Sequence, residues 1–136
     1  MNHRRNFLKK LGSGVALATI FPFVKKTTAG DIKLNDALVH HVFFWLKEPE
    51  NEHTRLQFEK GLEKLLTVET IALSHVGIPA STEKRDVVDN SFTYSYMVMF
   101  NDKESHDIYQ NHPTHLKFIE ENSHLWERVV VYDSVG

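Results

Sequence analysis

The chain has 136 residues, 41% of them hydrophobic and 25% charged, with no cysteine. That length holds one ordinary globular domain with a core. The missing cysteines exclude a disulfide scaffold, a thiolate zinc site, an iron–sulfur cluster and thiol catalysis. No apolar run reaches the roughly 20 residues of a membrane-spanning helix. The formal charge of −2 averages two unlike parts, because residues 1–29 carry six of the sixteen Lys and Arg and no Asp or Glu. Residues 30–136 hold ten basic against eighteen acidic residues, a formal charge of −8. So acidic a body repels phosphates, and no nucleic-acid partner is expected.

Residues 1–29 read as a basic start, an apolar stretch from Leu11 to Val24 and a small-residue end at Thr27-Thr28-Ala29. This is the layout of an export signal. Arg4-Arg5-Asn6-Phe7-Leu8-Lys9 resembles the bacterial twin-arginine signal, with Arg4, Arg5, Phe7 and Leu8 on its pattern and His3 departing from the usual Ser or Thr. The resemblance implies recognition by the export machinery, folding before export and a periplasmic location. Cleavage after Ala29 would leave residues 30–136 as the domain. The competing reading is a basic amphipathic anchor that stays on the protein, which Gly12, Gly14 and Pro22 weaken by interrupting a helix.

Beyond this segment the chain alternates strands and helices. Residues 37–46 are β-branched and aromatic between Asn35-Asp36 and Glu48-Pro49, which predicts a strand. From Glu52 to Val68, Leu56, Phe58, Leu62, Leu65 and Leu66 recur at helical spacing. Gly61 inside that helix costs about 1 kcal/mol relative to Ala and allows close packing. Residues 70–78 predict a second strand, and the polar stretch 80–90 a mobile loop. Residues 92–100 alternate strongly, with Phe92, Tyr94, Tyr96, Val98 and Phe100 on one face. Asn101 to Glu104 has capping-box spacing and starts a second helix. Asn111-His112-Pro113 breaks it, with Pro113 placed to begin a continuation to Glu121. Residues 126–132 are the last strand.

The order βαββαβ predicts an α+β, ferredoxin-like fold, a four-stranded antiparallel sheet with its helices on one face. The first strand is apolar on both faces, with Val39, Phe43 and Trp45 on one and Val42, Phe44 and Leu46 on the other. The last strand sets Val129 and Val131 against Trp126, Val130 and Tyr132. Helices on one side leave an apolar sheet face bare. A second copy covers it most simply, giving a homodimer in which two sheets form a dimeric α/β barrel.

Tyr109-Gln110-Asn111-His112-Pro113-Thr114-His115, followed by Val129-Val130-Val131-Tyr132-Asp133, resembles the signature of the stress-responsive dimeric α/β-barrel (Dabb) family. His40 to Lys47 is similar to that family's first strand, apart from Trp45, where Lys is common. The resemblance spans about residues 38–134. It implies a small dimeric protein; a plant member acts without metal or cofactor, and none is expected here. In a plant member that closes polyketide rings, the catalytic Tyr and His fall by position on Tyr109 and His115, and a first-strand His on His40. Fold transfers more safely than activity.

Histidine suits acid–base work near neutral pH and tyrosine can donate to a developing oxyanion. Two functions are therefore carried forward. One is a stress-protective module that binds a small, partly apolar molecule, with His40, His112, Tyr94 and Tyr96 as candidate contacts. The other is a cofactor-free lyase or cyclase that uses His115 and Tyr109. Against these stand structural roles: His112 and His115 packed near the Pro113 break and satisfying helix ends, with Tyr109 bonded locally, His41 on the opposite face from His40, and Tyr94 and Tyr96 as core. A metal held by His112 and His115 with Glu120 or His40 is weighed and not expected, since Pro113 interrupts the spacing. No residue singles out the oxygenases that share this fold.

Overall fold

The computed structural model describes residues 35–136. The segment 1–29, with Arg4, Arg5, Phe7 and Leu8, lies outside the described residues. The elements run β1 (Leu38–Leu46), α1 (Glu52–Leu65), β2 (Leu73–Gly77), β3 (Tyr94–Phe100), α2 (Lys103–Asn111), α3 (Pro113–Asn122), a 3₁₀ turn (Ser123–Leu125) and β4 (Trp126–Val135). The sheet order is β2-β3-β1-β4 and every pair is antiparallel. This is the ferredoxin-like α+β fold.

Local chemistry sets the element ends. Asn51 caps α1 by accepting a 3.0 Å bond from the Thr54 amide. The helix stops at Leu65 rather than at the expected Val68, and the Thr67 hydroxyl donates to the Lys64 carbonyl at 2.6 Å. The cap of α2 falls on Asp102, one residue later than the Asn101 of the expected capping box, with the Ser105 amide 2.7 Å from its carboxylate. Pro113 begins α3 as the sequence predicts. β2 is shorter than residues 70–78, because Ile71 turns back onto the Val68 carbonyl and only Leu73–Gly77 pair with β3.

The core lies between the sheet and α1 and α3. Strict alternation along β1 buries Leu38, His40, Val42, Phe44 and Leu46, and along β3 Tyr94, Tyr96, Val98 and Phe100. Phe58, Leu62 and Leu65 of α1 and Phe118 of α3 meet them. Gly61 lets α1 approach α3 closely, since a Cβ there would stand 2.8 Å from the Asn122 side chain.

Two expected face assignments need correction. The register shifts between Trp45 and Leu46, so that Arg128 pairs with Trp45 while Trp126 pairs with Leu46. This bulge turns Trp126 onto the helix-covered face, against Phe44, Phe58 and Phe118, rather than leaving it with Val130 and Tyr132. Phe92 precedes the start of β3 and packs on Phe43 of the uncovered face at 5.0 Å, not in line with Tyr94. That uncovered face holds Val39, His41, Phe43 and Trp45, all half-buried within the single chain, and Arg128 stacks over Trp45 at 4.3 Å.

Candidate functional site

The helices do not cover β4 fully. Val129 and Val131 point to the helix side, paired with Phe44 and Val42, yet remain 43% and 45% exposed. Between them and α2–α3 lies a cavity of about 330 Å³, within the range of small-molecule sites. Its walls are largely apolar, including Val42, Phe44, Leu65, Phe118, Ile119 and Trp126. Its polar groups come from four elements: His40 of β1, Tyr96 of β3, Tyr109 and Gln110 of α2, and His115 of α3.

His115 follows the Pro113 break, and its Nδ1–H donates to the Gln110 carbonyl at 3.0 Å. That bond fixes the tautomer and leaves the lone pair on Nε2. Burial holds the His115 pKa below the ordinary histidine value, against the opposing pull of the Gln110 carbonyl. Its ring packs 4.7 Å from that of Tyr109. The Tyr109 hydroxyl shares a buried 3.1 Å hydrogen bond with the Tyr96 hydroxyl. Burial pushes Tyr109 up to about 12 and raises Tyr96 as well, so both phenols keep their protons at neutral pH. One proton lies between the two oxygens and the other is free to donate.

His40 is 4% exposed and its Nδ1 stands 2.6 Å from Oδ1 of Asp133 across the β1–β4 pair. Burial lowers its pKa more than the Asp133 carboxylate raises it. The carboxylate orients the ring by accepting the Nδ1–H.

Four sequence candidates, His40, Tyr96, Tyr109 and His115, thus share one cavity. Tyr94 and His112 do not line it. Tyr94 points beneath α1, its hydroxyl donating to Glu59 at 2.5 Å and accepting from Arg55 at 3.1 Å, and burial followed by the Glu59 contact pushes its pKa up to about 12. His112 caps α3, its Nδ1 accepting from the Thr114 amide at 3.1 Å, with Nε2 3.3 Å from Glu69. Sequence reasoning passed over His106, one helical turn before Tyr109 on α2, whose ring lies 5.2 Å from that of His40. The (i, i+3) spacing to Tyr109 was the available signal. A cleft of about 370 Å³ at the other end of the sheet is lined by Trp45, Arg55, Ser91 and Phe92. It contains no histidine and none of the buried phenol pair, so the acid–base groups mark the helix-side cavity instead.

Comparison with known proteins agrees with this architecture. No curated protein matches the chain. Among solved structures, a Dabb family protein from Mesorhizobium loti aligns with a TM-score of 0.61 at 19% identity, covering 74% of this chain and 96% of its own. A hydroxynitrile lyase from Passiflora edulis aligns at 0.64 and 19% identity, covering 75% and 94%. A dimeric ferredoxin-like protein from Thermobifida fusca aligns at 0.59 and 13% identity, covering 74% and 91%. At these identities the likeness is one of fold. The family model of the stress responsive A/B barrel domain matches residues 38–135, and the chain belongs to that family.

Proposed function

We propose that this chain is an exported, homodimeric stress-responsive barrel protein whose helix-side cavity binds a small, partly apolar molecule carrying a carbonyl or hydroxyl. The carrying observation is the composition of that cavity: apolar walls around a few convergent polar atoms from His40, Tyr96, Tyr109 and His115. Export and a periplasmic location rest on the twin-arginine resemblance of residues 4–9. The homodimer rests on the half-buried apolar face of β1, on the dimeric description of structural neighbours, and on the cost of leaving that face bare.

A second reading, cofactor-free acid–base catalysis of the lyase or cyclase kind, is favoured by one bond. The Nδ1–H donation of His115 to Gln110 leaves Nε2 as an unprotonated base. Such a base takes a proton next to a carbonyl, while a phenol of the Tyr96–Tyr109 pair donates to the resulting oxyanion. That one neighbour is a hydroxynitrile lyase is compatible with this chemistry without establishing it.

Native mass spectrometry of the protein purified from periplasm tests the first reading. The expected species is a dimer beginning at Gly30 that retains an organic mass. An empty monomer beginning at Met1 would overturn all three parts. For the second reading, His115→Gln is expected to leave a folded dimer that still binds the retained molecule without converting it. Unchanged conversion refutes catalysis by His115.

A further inference from the structure

We propose that His40, His106 and Asp133 form a binding site for one divalent transition-metal ion, zinc in first place, where α2 packs over the β1–β4 pair. Sequence spacing does not suggest it, because the three residues come from β1, α2 and β4. The sheet makes the first link by pairing His40 directly with Asp133, and α2 lays His106 over that pair. One ring nitrogen of each histidine and a carboxylate oxygen of Asp133 lie within 4.8 Å of one another. Two imidazoles and a carboxylate suit zinc and leave a fourth tetrahedral position for water or another oxygen donor.

A second, independent observation concerns His106. Its Nε2 is buried and has no hydrogen-bond partner among the described residues, although its side chain is only 12% exposed. Buried polar atoms are rarely left unpaired, and a coordinated cation satisfies this one. Asp133 is 45% exposed at its side chain and gives the ion a route from solvent.

Coordination asks little of the backbone. At metal–ligand distances of about 2.1 Å, tetrahedral ligand atoms stand about 3.4 Å apart, so side-chain rotation suffices. A neutral His40 that offers Nδ1 to the ion carries its proton on Nε2 instead. The site shares only His40 with the cavity lining, uses neither His115 nor Tyr109, and does not depend on what the cavity takes up.

The test is calorimetric titration of the chelator-treated full-length protein with zinc chloride alone. Because the chain has nine histidines, the stoichiometry and the variants carry the result. One zinc per chain with a Kd of about 10 μM or tighter is expected. His106→Gln and Asp133→Asn should each weaken it about tenfold or more, while His53→Gln on α1 leaves it unchanged. Circular dichroism establishes that each variant is folded. If His106→Gln unfolds, Asp133→Asn decides alone, since that side chain is half exposed. Absent binding by the parent protein, or parental affinity in the folded variants, overturns the proposal and assigns the His106 nitrogen to a buried water.

Discussion

The Tyr96–Tyr109 pair makes a prediction in which removing one hydroxyl does more harm than removing two. Each phenol oxygen has the other as its protein partner at 3.1 Å, and the two residues are 1% exposed. Tyr109→Phe leaves the Tyr96 hydroxyl buried and unpaired, a condition that costs about 1–3 kcal/mol. The ring remains, with its packing on Phe100 at 5.0 Å and on His115 at 4.7 Å, so no cavity term adds to that cost. For a domain of about 100 residues the loss corresponds to roughly 5–15 °C in Tm. Tyr96→Phe should cost a similar amount. The double variant replaces a paired polar contact with two apolar edges and should recover at least half of either loss, giving a coupling of about 1.5 kcal/mol or more. Urea unfolding at fixed protein concentration, followed by circular dichroism, measures all four corners of the cycle. Additive losses, or a neutral Tyr109→Phe, would refute the claim that the hydroxyls satisfy each other. The double variant also separates the stability of the site from its chemistry, since it restores the fold without restoring an oxyanion donor.

The histidines set a pH dependence. Burial lowers the folded pKa values of His40, His41 and His115 below the unfolded value of 6.5, so between those values the unfolded chain binds more protons. Stability from these groups is complete above about pH 6.5 and declines as the pH falls below it; a urea midpoint that rises from pH 7.5 to 5.5 contradicts this. Gly61→Ala gains about 1 kcal/mol of helix propensity but drives a methyl to 2.8 Å from the buried Asn122 side chain, which bonds the Phe118 carbonyl. Overpacking of about 1–3 kcal/mol should make the variant less stable on balance, and a higher Tm would show that α1 and α3 separate freely. Phe43→Asp places a charge amid Phe92, Tyr132 and His41 on the uncovered face. On the proposed homodimer it should sediment as a folded monomer at concentrations where the parent protein sediments as a dimer, and a dimeric variant would refute the use of this face.

Much of this protein was legible in the sequence because its elements are set by local chemistry. Period-two alternation in residues 38–46 and 94–100, helical spacing from Phe58 to Leu65, and the Pro113 break are properties of neighbouring residues. They fixed the βαββαβ order, and with the Tyr109–His115 motif they reached the family. The alternation also separated the two apolar faces of β1, while which of them the helices cover came only from the tertiary structure. What the sequence could not supply was register. Whether Trp126 faced the helices depended on a one-residue bulge opposite Trp45–Leu46, and whether Phe92 joined Tyr94 depended on where pairing with β1 begins; a shift of one residue reverses the face of every side chain beyond it. The same applies to the site. His40 and Asp133 are 93 residues apart and meet at 2.6 Å only because β1 and β4 are adjacent in the sheet. His106 gains a role only when α2 lies over that pair. Local periodicity determined the parts and the faces they bury, while strand pairing and helix placement, which depend on contacts between distant residues, decided which polar groups share a cavity.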